Sequence, residues 1–318
     1  MKNFSVARAY SAGVDLIERK PWTLVWWAAA TIVLLFLPRF FIPGLAGGMN
    51  EWSGVRDVWA SAGNPEAMKA ASAKLQAMQA ANHSPGMGFL WMLWSLFVSA
   101  IFYNAAYRAV LQPQNASFGY LRIGMAEFWQ FLVLIVQFFL VLAYALVVAL
   151  IVFAVAMAAH AAGPVAAGWI MAVTFILLLI LTLWLSLRLS LGQVATFAEG
   201  KFAYFASWKL TKGRVWRLFW TSFLTLAMLI GLYCMFFFTV LLAVLPLSMI
   251  THVTGTPTLE PMTQGPPTVP TELLTLAAVG LGVWLIVASL ISAVVHALAL
   301  APWAAAYKGL TSEGAEHG

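Results

Sequence analysis

Six apolar stretches dominate this chain, at about residues 22–42, 88–107, 129–156, 165–187, 216–249 and 273–306. Each is long enough to cross roughly 30 Å of hydrocarbon as a helix, which takes about 20 residues. The expected fold class is all-α: a polytopic membrane helix bundle with six transmembrane helices. The third, fifth and sixth runs are longer than a span needs, which predicts tilt or extension beyond the bilayer. With 63% hydrophobic and 9% charged residues, the chain has too little polar surface for a soluble globule.

The charged residues carry the topology. Lys and Arg number 17 against 11 Asp and Glu, and the cations fall at the ends of the apolar runs. Lys2, Arg8, Arg19, Lys20, Arg108, Arg122, Arg188, Lys201, Lys209, Lys212, Arg214, Arg217 and Lys308 lie on one side, and Arg39, Arg56, Lys69 and Lys74 on the other. The positive-inside bias then puts both termini in the cytoplasm of a bacterial-type inner membrane. Basic residues before the first run, and the small residues of "GLAGG" at 44–48, also suit a cleaved leader. The length of the run, and Arg39 placed to snorkel at its far end, fit a retained anchor better. Cys234 stands alone within an apolar run, so neither a disulfide framework nor a thiolate metal site is available within one chain.

A single integral domain, 1–318, is expected, with three subsidiary segments. Residues 1–21 read as a cytoplasmic amphipathic helix. Residues 43–87 read as an extracytoplasmic helical flap, or a substrate lid: Asn64 is a candidate N-cap before Pro65 and Glu66, and Met68, Ala71, Leu75 and Met78 form one stripe. Residues 251–272, rich in Pro and Thr, read as an extracytoplasmic loop. "AAHAAGPVAAG" at 158–168 predicts a tight turn between two spans. Trp22, Trp129 and Trp216 each stand where an amphipathic, charge-bearing segment enters an apolar run. Their period of about 90–105 residues predicts three hairpin units, each with a cytoplasmic interfacial helix. Tryptophan at such an entry is also what an interface selects without any function.

The stretch "RLSLGQVATFAEGKFAYFASWKLTKGRVWRLF", 188–219, resembles the signature of the glycerophosphoryl diester phosphodiesterase membrane-domain family and its stand-alone relatives. Arg188, Glu199, Gly200, Ala206, Ser207, Trp208, Leu210, Thr211, Gly213, Trp216, Arg217 and Leu218 occupy the signature positions. "FSVARAYSAGVDLIERKPWTL" and "APWAAAYKGL" are similar to the family's ends. The family's usual proline after the arginine is replaced by the region of Gln193 and Val194. The resemblance implies a membrane domain of that type without the phosphodiesterase domain.

No reaction is legible. A phosphodiester hydrolase of that kind needs a soluble barrel gathering carboxylates and histidines around a metal, whereas the 11 acids and 5 histidines are scattered. No phosphate loop, H-E-x-x-H, C-x-x-C or Ser/His/Asp set on one side of the membrane is present, so the chain is read as a non-enzyme with no cofactor.

Polar residues inside the spans are the functional leads, because burying them in lipid is costly. His296 and Gln137 are expected at comparable depth as an intramembrane polar pair. A structural hydrogen bond, a proton or substrate site, and a haem or metal ligand are the three readings of His296. Arg108 and Arg188, at the inner ends of helices two and four, are expected to form interfacial ion pairs with Glu127 and Glu199. Lys209, Lys212, Arg214 and Arg217, with Trp208 and Trp216, fix topology and form a candidate contact for anionic headgroups, each cation contributing roughly 1 kcal/mol. The expected function is a non-catalytic membrane module organising lipid or a protein partner, with a small-molecule or lipid transporter as the alternative. A polar cavity at mid-depth would favour transport, and a dry bundle scaffolding.

Overall fold

The computed structural model describes residues 5–36, 38, 54, 57–58, 61, 64–82, 85–114, 117–161, 163–253 and 271–316, and among these every regular element is helical. Five helical stretches are long and apolar enough to cross a membrane: Gly88–Leu111, Ser117–Ala161, Pro164–Glu199, Val215–Phe238 and Gly282–Ser312. The first expected span is apolar over Pro21–Leu35, and its continuation from residue 39 to 42 lies outside the described residues. Most of the expected loop, residues 254–270, also lies outside them. The chain divides into two compact units, one of Met1–Thr23, Leu96–Thr225 and His296–Gly318, the other of Leu24–Ser95 and Leu226–Val295.

In the first unit the amphipathic segment expected at the start of the chain is helix α1 (Val6–Arg19). Ala9, Gly13 and Leu16 are buried and Glu18 and Arg19 exposed, the spacing of one apolar helix face. Pro21 cannot donate to the preceding turn and opens α2 (Pro21–Thr31). The last long helix here, α10 (Thr271–Glu316), carries Pro302 within it. Proline removes the helical donor for the carbonyl four residues earlier, and α1 crosses close to that weakened turn. A Cβ on Gly13 would lie 3.0 Å from both the Ala297 carbonyl oxygen and the Leu298 Cα. Ala297, Ala301 and Ala304 are each fully buried on the part of α10 in this unit, small side chains that permit close helix approach.

Helix α4 (Pro85–Leu111) enters this unit at Leu96 and is followed by a turn over Ser117–Tyr120. Phe118, Gly119 and Tyr120 all take positive φ, at 50°, 65° and 67°. Left-handed backbone is costly at the two non-glycine positions, and cations secure it. Lys20 Nζ donates to the Tyr120 hydroxyl and, at 2.8 Å, to the Pro113 carbonyl, while Arg108 Nη1 donates to the Tyr120 carbonyl at 3.2 Å.

Helices α5 (Met125–Ala161) and α6 (Pro164–Leu189) follow closely in the chain and pack on each other, with Gly163 at φ 86° and Pro164 at the first helical position. At 37 residues, α5 is about 55 Å long by the usual rise. Its side chains from Phe138 to Met157 are mostly exposed and apolar, and so are those of α6 from Val165 to Trp184. Tyr144, Val148, Val152 and Val155 on α5, and Met171, Thr174 and Leu178 on α6, are half-covered, the stripes along which the pair packs. Short helices α7 (Gly192–Glu199) and α8 (Ser207–Leu210) then lead into α9 (Val215–Val253). The core here joins Ala9, Leu187, Leu191, Leu218, Ala306 and Leu310.

In the second unit, helix α3 (Pro65–Asn82) starts as expected, with Asn64 Oδ1 accepting the Glu66 and Ala67 amides at 3.1 and 3.2 Å. Lys74 pairs with Asp57 at 3.2 Å. A π-helical turn over Ile32–Phe36 follows α2, and the Leu34 carbonyl accepts the Trp94 indole N–H at 2.7 Å.

Candidate functional site

The first unit contains a cavity of about 540 Å³ bordered by α4, α5, α6, α7 and α10. Its polar lining comes from the hydroxyls of Tyr103, Tyr107, Tyr144, Thr182, Ser186, Ser190 and Tyr204 and the amides of Gln137 and Gln193. Leucines, Val141 and Trp303 supply the apolar wall, and no ionisable side chain other than tyrosine lines it.

Helical register builds this lining. Gln130, Gln137 and Tyr144 recur every seven residues on α5, two turns apart on one face. Gln130 is buried below the cavity, while Gln137 and Tyr144 line it. Thr182, Ser186, Ser190 and Gln193 recur at three- and four-residue steps from α6 into α7. The two rows meet through hydrogen bonds. Tyr107 donates to Gln193 Oε1 at 3.0 Å, and Gln193 Nε2 donates to Gln137 Oε1 at 2.6 Å. The Thr182 hydroxyl gives its proton to the Leu178 carbonyl at 2.7 Å, so Tyr144 is the donor in the 2.5 Å contact with Thr182. Tyr204, 2% exposed, is held against Gly192: a Cβ there would reach the Tyr204 ring edge at 2.5 Å. Burial pushes the Tyr204 hydroxyl above its usual value, which keeps it a neutral donor.

The segment 188–219 next to the cavity owes much of its pattern to turn geometry. Ser207, fully buried, donates to the Arg188 carbonyl at 2.6 Å and accepts the Leu191 amide at 3.2 Å, closing the corner after α6. Gly200 and Gly213 take φ of 64° and 75°, where a Cβ is disfavoured. Arg188 does not meet Glu199, contrary to expectation. Glu199 pairs with its neighbour Lys201 at 3.4 Å. The Arg188 guanidinium lies over the Trp184 and Trp208 rings, 5.4 and 5.2 Å from their centroids, and donates to the Trp208 carbonyl at 3.2 Å and to Thr211 at 3.4 Å. A delocalised guanidinium stacks on indole more readily than it gains from an exposed carboxylate.

The expected cation cluster is heterogeneous. Lys209, Lys212 and Arg217 are exposed, whereas Arg214 is half-buried and donates to the Leu310 carbonyl at 3.3 Å. Trp216 is 68% exposed and stacks on Phe219, with Trp220 and Phe223 continuing the aromatic row.

Arg108 and Glu127 do pair, deep in the unit, at 7% and 1% exposure. Asn104 Nδ2 approaches the same carboxylate oxygen at 3.4 Å. Asn104 Oδ1, Glu127 Oε2 and both polar atoms of the fully buried Gln130 have no hydrogen-bond partner among the described residues. Sequence reasoning missed Asn104 and Gln130; their i, i+4 and i, i+3 spacing from Arg108 and Glu127 was the available signal.

Gln137 is bonded to Gln193 and not to His296. His296, half-buried on α10, rests on the ring of Phe102, centroids 5.1 Å apart. The expected pair is thus split, because Gln193 brings the cavity wall to Gln137 from α7. Among the described residues no three of His, Cys, Asp and Glu come together as a metal site. No family model, curated protein or solved structure matches this chain.

Proposed function

We propose that this chain is a six-span inner-membrane protein of three hairpin units, with both termini cytoplasmic, that retains a lipid in the α5–α6 cavity without transforming it. The observation that carries this is the cavity's position: Gln137 lines it and Phe138 begins the exposed apolar stretch of α5. A molecule seated there would place its polar part among hydroxyls and amides and its chains along an apolar helix surface. The exposed Lys209 and Lys212, with Trp208 and Trp216, support a second contact with anionic headgroups of the surrounding leaflet. The resemblance of residues 188–219 to a membrane domain agrees with a non-catalytic module of that family. Transport draws on the same polar cavity. Its lining reaches from Gln137 to Tyr144 on α5 and from Thr182 to Leu189 on α6, the halves of the two helices farther from the Gly163 turn, and this one-sided placement favours retention.

Native mass spectrometry of the detergent-extracted protein tests the reading. Wild type is expected to carry lipid at fixed stoichiometry, and Ser186→Trp, which fills the cavity from an exposed position, is expected to lose it while still unfolding in a single cooperative transition. Lipid-free wild type, or lipid retained equally by the variant, would refute the proposal.

A further inference from the structure

The cavity also specifies what kind of head it takes, an inference that rests on the lipid-holding reading. Its lining carries no carboxylate, ammonium, guanidinium or imidazole. The nearest cation in sequence, Arg188, does not line the cavity; its guanidinium lies over two indoles and donates through Nη1 to the Trp208 carbonyl and Thr211, with Nε buried and unpartnered among the described residues. A phosphate or sulfate placed among these hydroxyls would be desolvated with no countercharge, and an ammonium would meet no carboxylate. An acceptor-only or donor-only group would in addition leave part of the lining unmatched.

The hydrogen-bonding capacity of the wall is mixed. The hydroxyls of Tyr103 and Tyr204 make no hydrogen bond to other described residues, and each offers an O–H and an acceptor oxygen. Tyr144 has spent its proton on Thr182 and keeps acceptor lone pairs. Gln137 has spent its carbonyl on Gln193 and keeps its N–H groups. Ser190 has donated to the Leu187 carbonyl at 2.8 Å and can only accept. Free donors and free acceptors are thus both present around an uncharged space, and a head whose groups both donate and accept matches it.

We propose that the cavity binds an uncharged, polyhydroxylated head carried on an alkyl or acyl chain, as in a glycosylated lipid, and selects against phosphate and quaternary ammonium heads. Its source is a membrane glycolipid or a soluble glycosylated amphiphile, which share the same head chemistry.

The test is a thermal-shift titration of the full chain in a polyoxyethylene detergent with three amphiphiles of equal chain length: an alkyl glucoside, an alkyl phosphate and an alkyl trimethylammonium. The glucoside is expected to raise the midpoint saturably, with at least a tenfold lower half-saturation concentration than either charged probe. Ser186→Trp and Gln137→Leu are expected to remove that response; Ser186→Trp keeps the hydrogen bonds of the wall intact, so its loss of response reports occupancy and not misfolding. A lead by either charged probe, or a response that survives Ser186→Trp, overturns the head assignment. If native mass spectrometry of wild type shows retained lipid in the same preparation, the retention reading stands even then. Retained lipid that is glycosylated identifies the source as the membrane; a glucoside response with lipid-free wild type points to the soluble amphiphile and refutes membrane-lipid retention.

Discussion

Glu127 and Arg108 illustrate how one residue's surroundings decide whether a charge can be spared. Both are almost wholly enclosed, and the carboxylate is approached by Arg108 and Asn104. Attraction within a buried pair roughly offsets the cost of removing both charges from water, so the pair adds little net stability, yet removing one partner strands the other. Glu127→Gln is therefore expected to destabilise the protein by about 3–5 kcal/mol, read as a lower midpoint in detergent. The double substitution Arg108→Met with Glu127→Met is expected to recover most of that loss, because it leaves no stranded charge. A Glu127→Gln midpoint equal to wild type would show that the pair is not formed. The sequence made this pair legible, since an arginine ending one apolar run and a glutamate opening the next face the same boundary. Arg188 and Glu199 follow the same pattern and do not pair, because two tryptophans compete for the guanidinium from positions 4 and 20 residues away in sequence. Proximity in sequence carried no information about that competition.

Short elements between the long helices decide what the basic segment can do. Ser207 and Thr211 are fully buried, so this part of the basic segment forms a corner of the backbone, while Trp208, Lys209, Lys212, Trp216 and Arg217 are exposed. Lys209→Gln with Lys212→Gln is expected to reduce retention of anionic lipid without changing the thermal midpoint, because exposed charges add little to stability. Arg214→Gln is expected instead to lower stability by about 1–2 kcal/mol through loss of the bond to Leu310. Equal lipid retention in the double lysine variant would confine those cations to a topogenic role. Helix starts were readable where a local mechanism sets them: Asn64 before Pro65, and Gly163 before Pro164. The cavity was not readable, because its hydroxyls and amides come from α4, α5, α6, α7 and the connections beside them, and no helix shows more than two of them. The recurrence of Gln130, Gln137 and Tyr144 was the available trace, and its meaning depended on Gln193 arriving from α7.

At the scale of the whole chain, the long helices α5 and α6 leave a wide apolar surface uncovered, from Phe138 to Met157 and from Val165 to Trp184. Water cannot be the solvent of that surface without a large hydrophobic cost, whereas lipid tails can. A membrane is thus the physical completion of the fold, and the distribution of cations then sets its orientation. If the thirteen Lys and Arg grouped with the chain termini face one side and the other four the opposite side, the positive-inside bias predicts α3, with Lys69 and Lys74, outside the cytoplasm. The expectation is open to direct chemistry. Gln76 is exposed on α3, and Cys234, also exposed, can be removed as Cys234→Ala so that one thiol remains. In intact cells whose outer barrier has been permeabilised, Gln76→Cys in that background is expected to react with a membrane-impermeant maleimide at once, while a cysteine replacing the exposed Lys212 reacts after the inner membrane is opened. The opposite order of labelling would invert the topology and with it the side of the membrane from which the cavity and the basic segment recruit lipid.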